Sequence, residues 1–188
     1  MYTWFSEKVD QAQQVLKAQN IRLELKFNSP ADQDEIRRCE ERLGFTLPHS
    51  YKEFLKFSNG ANLFCSNEPR FEITLPWLAD SGILIQSTDT IVAFNQNQDE
   101  VYVEDGSEKK YIAFCYLGYV ATGDFCSFDV TSSVDSEYKI LDCQHDLLFE
   151  DWQAEHIIAN SFEDWLAQIF DEVIYNHNRP EYWIPSPL

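Results

Sequence analysis

The stretch Leu43-Gly44-Phe45-Thr46-Leu47-Pro48-His49-Ser50-Tyr51-Lys52-Glu53-Phe54-Leu55-Lys56-Phe57-Ser58-Asn59-Gly60 constrains this chain more than any other, because a helix stop, a helix start and a second stop follow one another there. Gly44 tolerates the left-handed conformation that ends a helix, and Pro48 suits the first helical position, where its missing N–H costs nothing. Tyr51, Phe54, Leu55 and Ser58 then recur on one helical face before Asn59-Gly60 supplies the next stop. Upstream, Ser29-Pro30-x-Asp32 reads as the opening of the preceding helix, with Ser29 as N-cap, Pro30 at the first position and Asp32 forming a near capping box. The spacing predicts helices over 30–43 and 48–58 that meet at a tight corner, the first burying Ile36, Cys39 and Leu43.

An amphipathic helix over 4–19, through Phe5, Val9, Ala12 and Leu16, precedes this corner, and Ile21, Leu23, Leu25 and Phe27 then alternate with charged residues in a short extended arm. After Gly60 the apolar period falls from 3.6 to 2. Phe71–Trp77, Thr90–Phe94, Glu100–Val103, Tyr111–Leu117, Asp124–Val130 and Tyr138–Cys143 are short, rich in aromatic and β-branched residues, and bounded by turn residues, which predicts an antiparallel meander over 71–143. Ser161-Phe162-Glu163-Asp164 then opens a closing helix over 161–175, with Trp165, Leu166, Ile169, Phe170, Val173 and Ile174 as its apolar stripe. The expected class is α+β: a single domain, an antiparallel β-sheet with helices packed on one face. Residues 1–28 are read as an N-terminal helix and arm of that domain, 29–177 as its body, and 178–188 as a Pro-containing tail in which Tyr182, Trp183 and Ile184 can dock. Ile36, Leu43, Tyr51, Phe54, Leu55, Trp165, Ile169 and Phe170 are the expected core.

With 188 residues and 44% hydrophobic composition the chain can bury one sizeable core. The longest nearly apolar run, Tyr111 to Ala121, is too short for a membrane span, and Glu7, Lys8 and Asp10 stand where a signal peptide needs apolar residues. Cys39, Cys65, Cys115, Cys126 and Cys143 are odd in number and lack any C-x-x-C spacing, so buried reduced thiols in a cytoplasmic protein are expected rather than a disulfide framework or zinc site.

The charge of −18 is unevenly distributed. Residues 1–70 hold ten Lys/Arg and ten Asp/Glu, whereas residues 71–188 hold four Lys/Arg and 22 Asp/Glu. No cation stands between Lys139 and Arg179, a stretch that contains Asp142, Asp146, Glu150, Asp151 and Glu155. Such a field repels nucleic acid and anionic membrane and favours a basic protein partner, although acidity also serves solubility alone. These five carboxylates, with Trp152, are the candidate partner-binding residues. Trp152 and Trp183 are either anchors for a partner or packed aromatics, and packing is the commoner fate of large rings.

Catalytic and metal chemistry finds little support. His145-Asp146 and His156 lie near several carboxylates, but no His pair at helical spacing accompanies them. No nucleophile elbow, Walker loop or dinucleotide fingerprint occurs, and Asp124 reads as a turn residue that fixes a hairpin. No cofactor, metal ligand or catalytic residue is therefore expected.

The string Leu43-Gly44-x-x-Leu47-Pro48-x-x-Tyr51-x-x-Phe54-Leu55-x-x-x-Asn59-Gly60, preceded by Glu35-Ile36 and Glu40, resembles the entry segment of the SUKH superfamily, the Smi/Knr-type domain. Tyr111-Ile112-Ala113-Phe114 followed by Gly123-Asp124-x-x-x-Phe128-Asp129 is similar to its central hairpin, and Ser161-Phe162-x-x-Trp165-Leu166 to its closing helix. This resemblance implies a non-enzymatic, protein-binding role, and many bacterial members are immunity proteins. On that basis the expected function is neutralisation of a cognate toxin, a basic nuclease for example, by direct binding; the alternative is a cytosolic interaction or regulatory module without a toxin partner.

Overall fold

The computed structural model describes residues 3–65, 82–102, 108–118 and 123–176. Along the chain run α1 (Thr3–Ala18), β1 (Glu24–Phe27), α2 (Gln33–Leu43), α3 (His49–Phe57), β2 (Ala61–Cys65), β3 (Ile83–Ile85), α4 (Ile91–Tyr102), β4 (Tyr111–Leu117), β5 (Phe125–Asp129), β6 (Ile140–Cys143), α5 (Phe149–Glu155), β7 (Ile157–Ala159) and α6 (Phe162–Ile174). The seven strands among the described residues form one sheet whose spatial order follows the chain, each antiparallel to the next. The α+β class is therefore as expected. The sheet extends well beyond 71–143, from β1 to β7, while the strand expected at 71–77 lies outside the described residues.

The α2–α3 corner forms where its punctuation predicts, with two local differences. Asp32, not Ser29, caps α2: its carboxylate accepts from the Glu35 N–H at 2.8 Å while Glu35 accepts from the Asp32 N–H at 2.7 Å, a complete capping box. Gly44 ends α2 at φ 73°. Pro48 is the N-cap of α3 rather than its first helical residue and brings no side-chain acceptor. A distant segment supplies it: Glu137, in the β5–β6 connection, accepts from the Ser50 N–H at 2.7 Å and the Ser50 hydroxyl at 2.6 Å, and the Ser136 carbonyl accepts from the His49 N–H at 3.0 Å.

Gly60 is required for a reason other than helix termination, since α3 stops at Ser58. With φ 83°, a Cβ at Gly60 would lie 2.9 Å from the Ile85 carbonyl oxygen and the Ser87 nitrogen. Asn59 completes the junction, accepting from the Thr88 N–H at 2.8 Å and donating to the Thr88 hydroxyl at 2.9 Å.

Thr90–Phe94 and Glu100–Val103, expected as strands, contain instead the helix α4 up to Tyr102, beyond which Val103 lies outside the described residues. Ser87 and Thr90 exchange side-chain bonds with each other's backbone N–H at 2.9 and 3.2 Å, which secures the first turn despite the β-branched Ile91 and Val92. Asn95 then explains the placement of this helix. Its amide accepts from the Ala113 N–H at 2.9 Å and donates to the Ala113 carbonyl at 2.7 Å, replacing a strand where β3 has turned away from β4.

One face of the sheet carries the larger core, in which Phe5, Leu16, Ile36, Tyr51, Phe54, Leu55, Trp165, Ile169 and Phe170 from α1, α2, α3 and α6 are buried, with Leu43 half-buried against them. The helices do not keep to that face. Phe94 of α4 and Phe149 and Trp152 of α5 cover a second core on Tyr111, Ala113, Phe125, Leu141 and Cys143. The central strands dictate this, because β4, β5 and β6 are buried almost throughout, and apolar side chains on both faces leave neither to water. A register shift between Ala113 and Cys115 turns both Phe114 and Cys115 toward the first core, as a β-bulge does.

Candidate functional site

The segment from Asp142 to Glu155 passes from the last long strand over the second core. In α5, Phe149 and Trp152 lie one turn apart and enter that core, where the Trp152 ring meets Tyr111 and Phe125 edge-on at 5.7 and 5.5 Å and its indole N–H donates to the Gln144 carbonyl at 3.1 Å. Trp152 is thus fully buried, a packed anchor for α5 and not a ring offered to a partner. Once it is fixed, Glu150, Asp151 and Glu155 fall on the outward side of the helix, and Asp146 stands exposed in the turn before it.

The six candidate residues therefore separate. Asp142 is 5% exposed on β6, and burial pushes its carboxyl above the ordinary range, opposed by a 3.2 Å hydrogen bond from the Gln144 amide and by the neighbouring His156. Trp152 and Asp142 leave the surface because the sheet is buried on both faces at that point. Glu150 pairs with Lys110 at 3.0 Å, and Lys110 also lies 5.3 Å above the Phe149 ring. Among the described residues Asp146, Asp151 and Glu155 have no cationic partner; Asp151 accepts only from the Leu148 N–H, at 3.4 Å.

Two polar clasps, not visible in the local sequence, hold this segment to the sheet. Asp124 accepts from the His145 N–H at 3.0 Å and stands 2.9 Å from the imidazole Nδ1, so this carboxylate ties the loop before α5 to the start of β5. On α5, Gln153 donates to Asp129 at 3.1 Å and to the Thr131 hydroxyl at 2.9 Å. Leu148, at the N-terminus of α5, is 65% exposed among the carboxylates.

All five cysteines are free and buried, and burial pushes the Cys126 and Cys143 thiols well above their usual range and Cys39 up to about 11. Among the described residues no group of three His, Cys, Asp or Glu side chains is arranged to hold a metal ion. No helix among them is long and apolar enough to cross a membrane.

A helix-covered antiparallel sheet in chain order, with a capped two-helix corner on one face and an acidic helix on the other, is the frame of an α+β domain. The chain belongs to the SMI1 / KNR4 family (SUKH-1), whose sequence model matches residues 30–168. It is also similar to the uncharacterized protein YnaB of Bacillus subtilis (strain 168), at 36% identity over 73 residues, covering 39% of this chain and 40% of that protein. The match thus spans less than half the length of that relative.

Proposed function

We propose that this protein is a non-enzymatic binding domain that neutralises a cognate toxin by receiving a basic surface of it on the outward face of α5. The family supports the coarser part of this reading, since its members are generally immunity or regulatory proteins that act through protein contacts. The observation that carries the finer part is the geometry of α5. Its inner face is locked by Trp152, while Asp151 and Glu155 on it and Asp146 in the turn before it stand outward with no cationic partner among the described residues, in a chain of net charge −18. Carboxylates held on a rigid element raise the association rate of a basic partner through long-range attraction, and partial desolvation on contact adds specificity.

The test is stopped-flow association with the purified product of a toxin gene adjacent to this one. Changing Asp146, Asp151 and Glu155 together to Lys should slow association by about tenfold or more at low ionic strength and flatten its salt dependence. Unchanged kinetics with a partner that still binds would remove the α5 face from the interface. The absence of any bound toxin, with a cellular partner captured instead, would favour the regulatory module.

A further inference from the structure

The opposite edge of the sheet offers a second, differently charged site. α1 ends in a tight turn, with the Asn20 N–H donating to the Lys17 carbonyl at 3.1 Å and the Ile21 N–H to the Leu16 carbonyl at 2.9 Å, so the arm 21–25 doubles back beside the helix. Between them runs an open groove of about 470 Å³, walled on one side by Gln13, Leu16 and Lys17 and on the other by residues 20–25. That volume is in the range of ligand sites.

Three features define what fits. β1 is the terminal strand, and among the described residues no strand pairs with its outer edge. Such an edge presents unpaired backbone donors and acceptors to an extended chain, here over four residues with a register shift between Glu24 and Lys26. Ile21, Leu23 and Leu25 are half-buried against the core and, with Leu16, form an apolar floor for alternate side chains of an added strand. The third feature is charge. Lys17 and Arg22, both exposed at the groove, have no carboxylate partner among the described residues, a state shared by Arg38, Arg42 and Lys139 elsewhere in the fold. Glu24, the one carboxylate in the groove wall among the described residues, lies 3.5 Å from Lys26.

We infer that this groove binds an extended acidic peptide segment of a partner protein by strand addition to β1, its alternate apolar side chains on the Leu16–Leu25 floor and its carboxylates on Lys17 and Arg22. The site is independent of the α5 face, which packs on β6 and β7 at the far edge of the sheet, and it takes the opposite charge.

The test pans a displayed library of random decapeptides on the full chain and on a Lys17→Glu, Arg22→Glu double variant, both shown to melt alike. Selection on the wild-type chain should enrich peptides that alternate β-branched with acidic residues. Those peptides should bind the double variant about tenfold or more weakly, shift the backbone amides of residues 21–27, and lose binding when alternate peptide nitrogens are methylated. No enrichment over the double variant, enrichment of basic peptides, or shifts confined to other elements would each overturn the inference. So would concentration-dependent dimerisation through β1, which would make a second copy the occupant.

Discussion

Replacing Glu137 by Ala should destabilise the domain by severing a cap that joins two segments far apart in the chain. The N-cap of α3 is Pro48, which has no side-chain acceptor, so the first turn of the helix depends on Glu137 and the Ser136 carbonyl. The Glu137 carboxylate makes two short bonds to Ser50, a residue only 5% exposed. Hydrogen bonds to a charged group contribute roughly 1.5–3 kcal/mol each, but two bonds from one carboxylate are not additive. A negative charge at a helix N-terminus adds roughly 0.3–1 kcal/mol. The expected loss for Glu137→Ala is about 2–3 kcal/mol, which for a domain of this size lowers Tm by roughly 4–12 °C. Glu137→Gln keeps an acceptor but not the charge, and should lose about half as much. Urea unfolding monitored by tryptophan fluorescence measures both. A loss below about 0.5 kcal/mol for the Ala variant would mean that water replaces Glu137 at no cost and that α3 is held by its apolar face alone.

Three further outcomes follow from the packing. Truncating Trp165, fully buried and edge-on to Phe114 at 5.0 Å, to Ala should cost roughly 3–5 kcal/mol in the same assay; a loss below about 1 kcal/mol would show that α6 does not close the first core. Gly60→Ala combines a backbone at φ 83° with contacts of 2.9 Å to the β3–α4 turn, so it should destabilise by roughly 1–3 kcal/mol, and a neutral result would mean the turn yields. Asp142 has its carboxyl raised by burial, so the folded state binds its proton more tightly than the unfolded state does; this contribution is present below the ordinary carboxylate range and is lost as pH rises through the raised value. Asp142→Asn should therefore raise Tm at neutral pH and leave it little changed in acid, and equal melting of the two proteins at neutral pH would refute the burial argument.

The elements legible in the sequence are those whose signals act within a few residues. α2, α3 and α6 each carry an apolar stripe at helical spacing between start and stop residues, and the sequence between β4 and β5 carries the turn residues Gly123 and Asp124. The carboxylates outward of α5 were legible as charge. What only the tertiary structure decided depends on partners distant in sequence. Ile91 and Val92 favour a strand locally, yet α4 is a helix because Ser87 and Thr90 lock its first turn and Asn95 occupies the vacant edge of β4. β3 and β7, three residues each, are too short to signal themselves and exist through pairing with β4 and β6. The same holds for the site: whether Trp152 and Asp142 lie at the surface depends on the second face of the sheet, which forms only when β4, β5 and β6 come together. A local pattern states which side chains share a face, but only non-local pairing, which must offset the entropy of closing long loops, decides what that face meets.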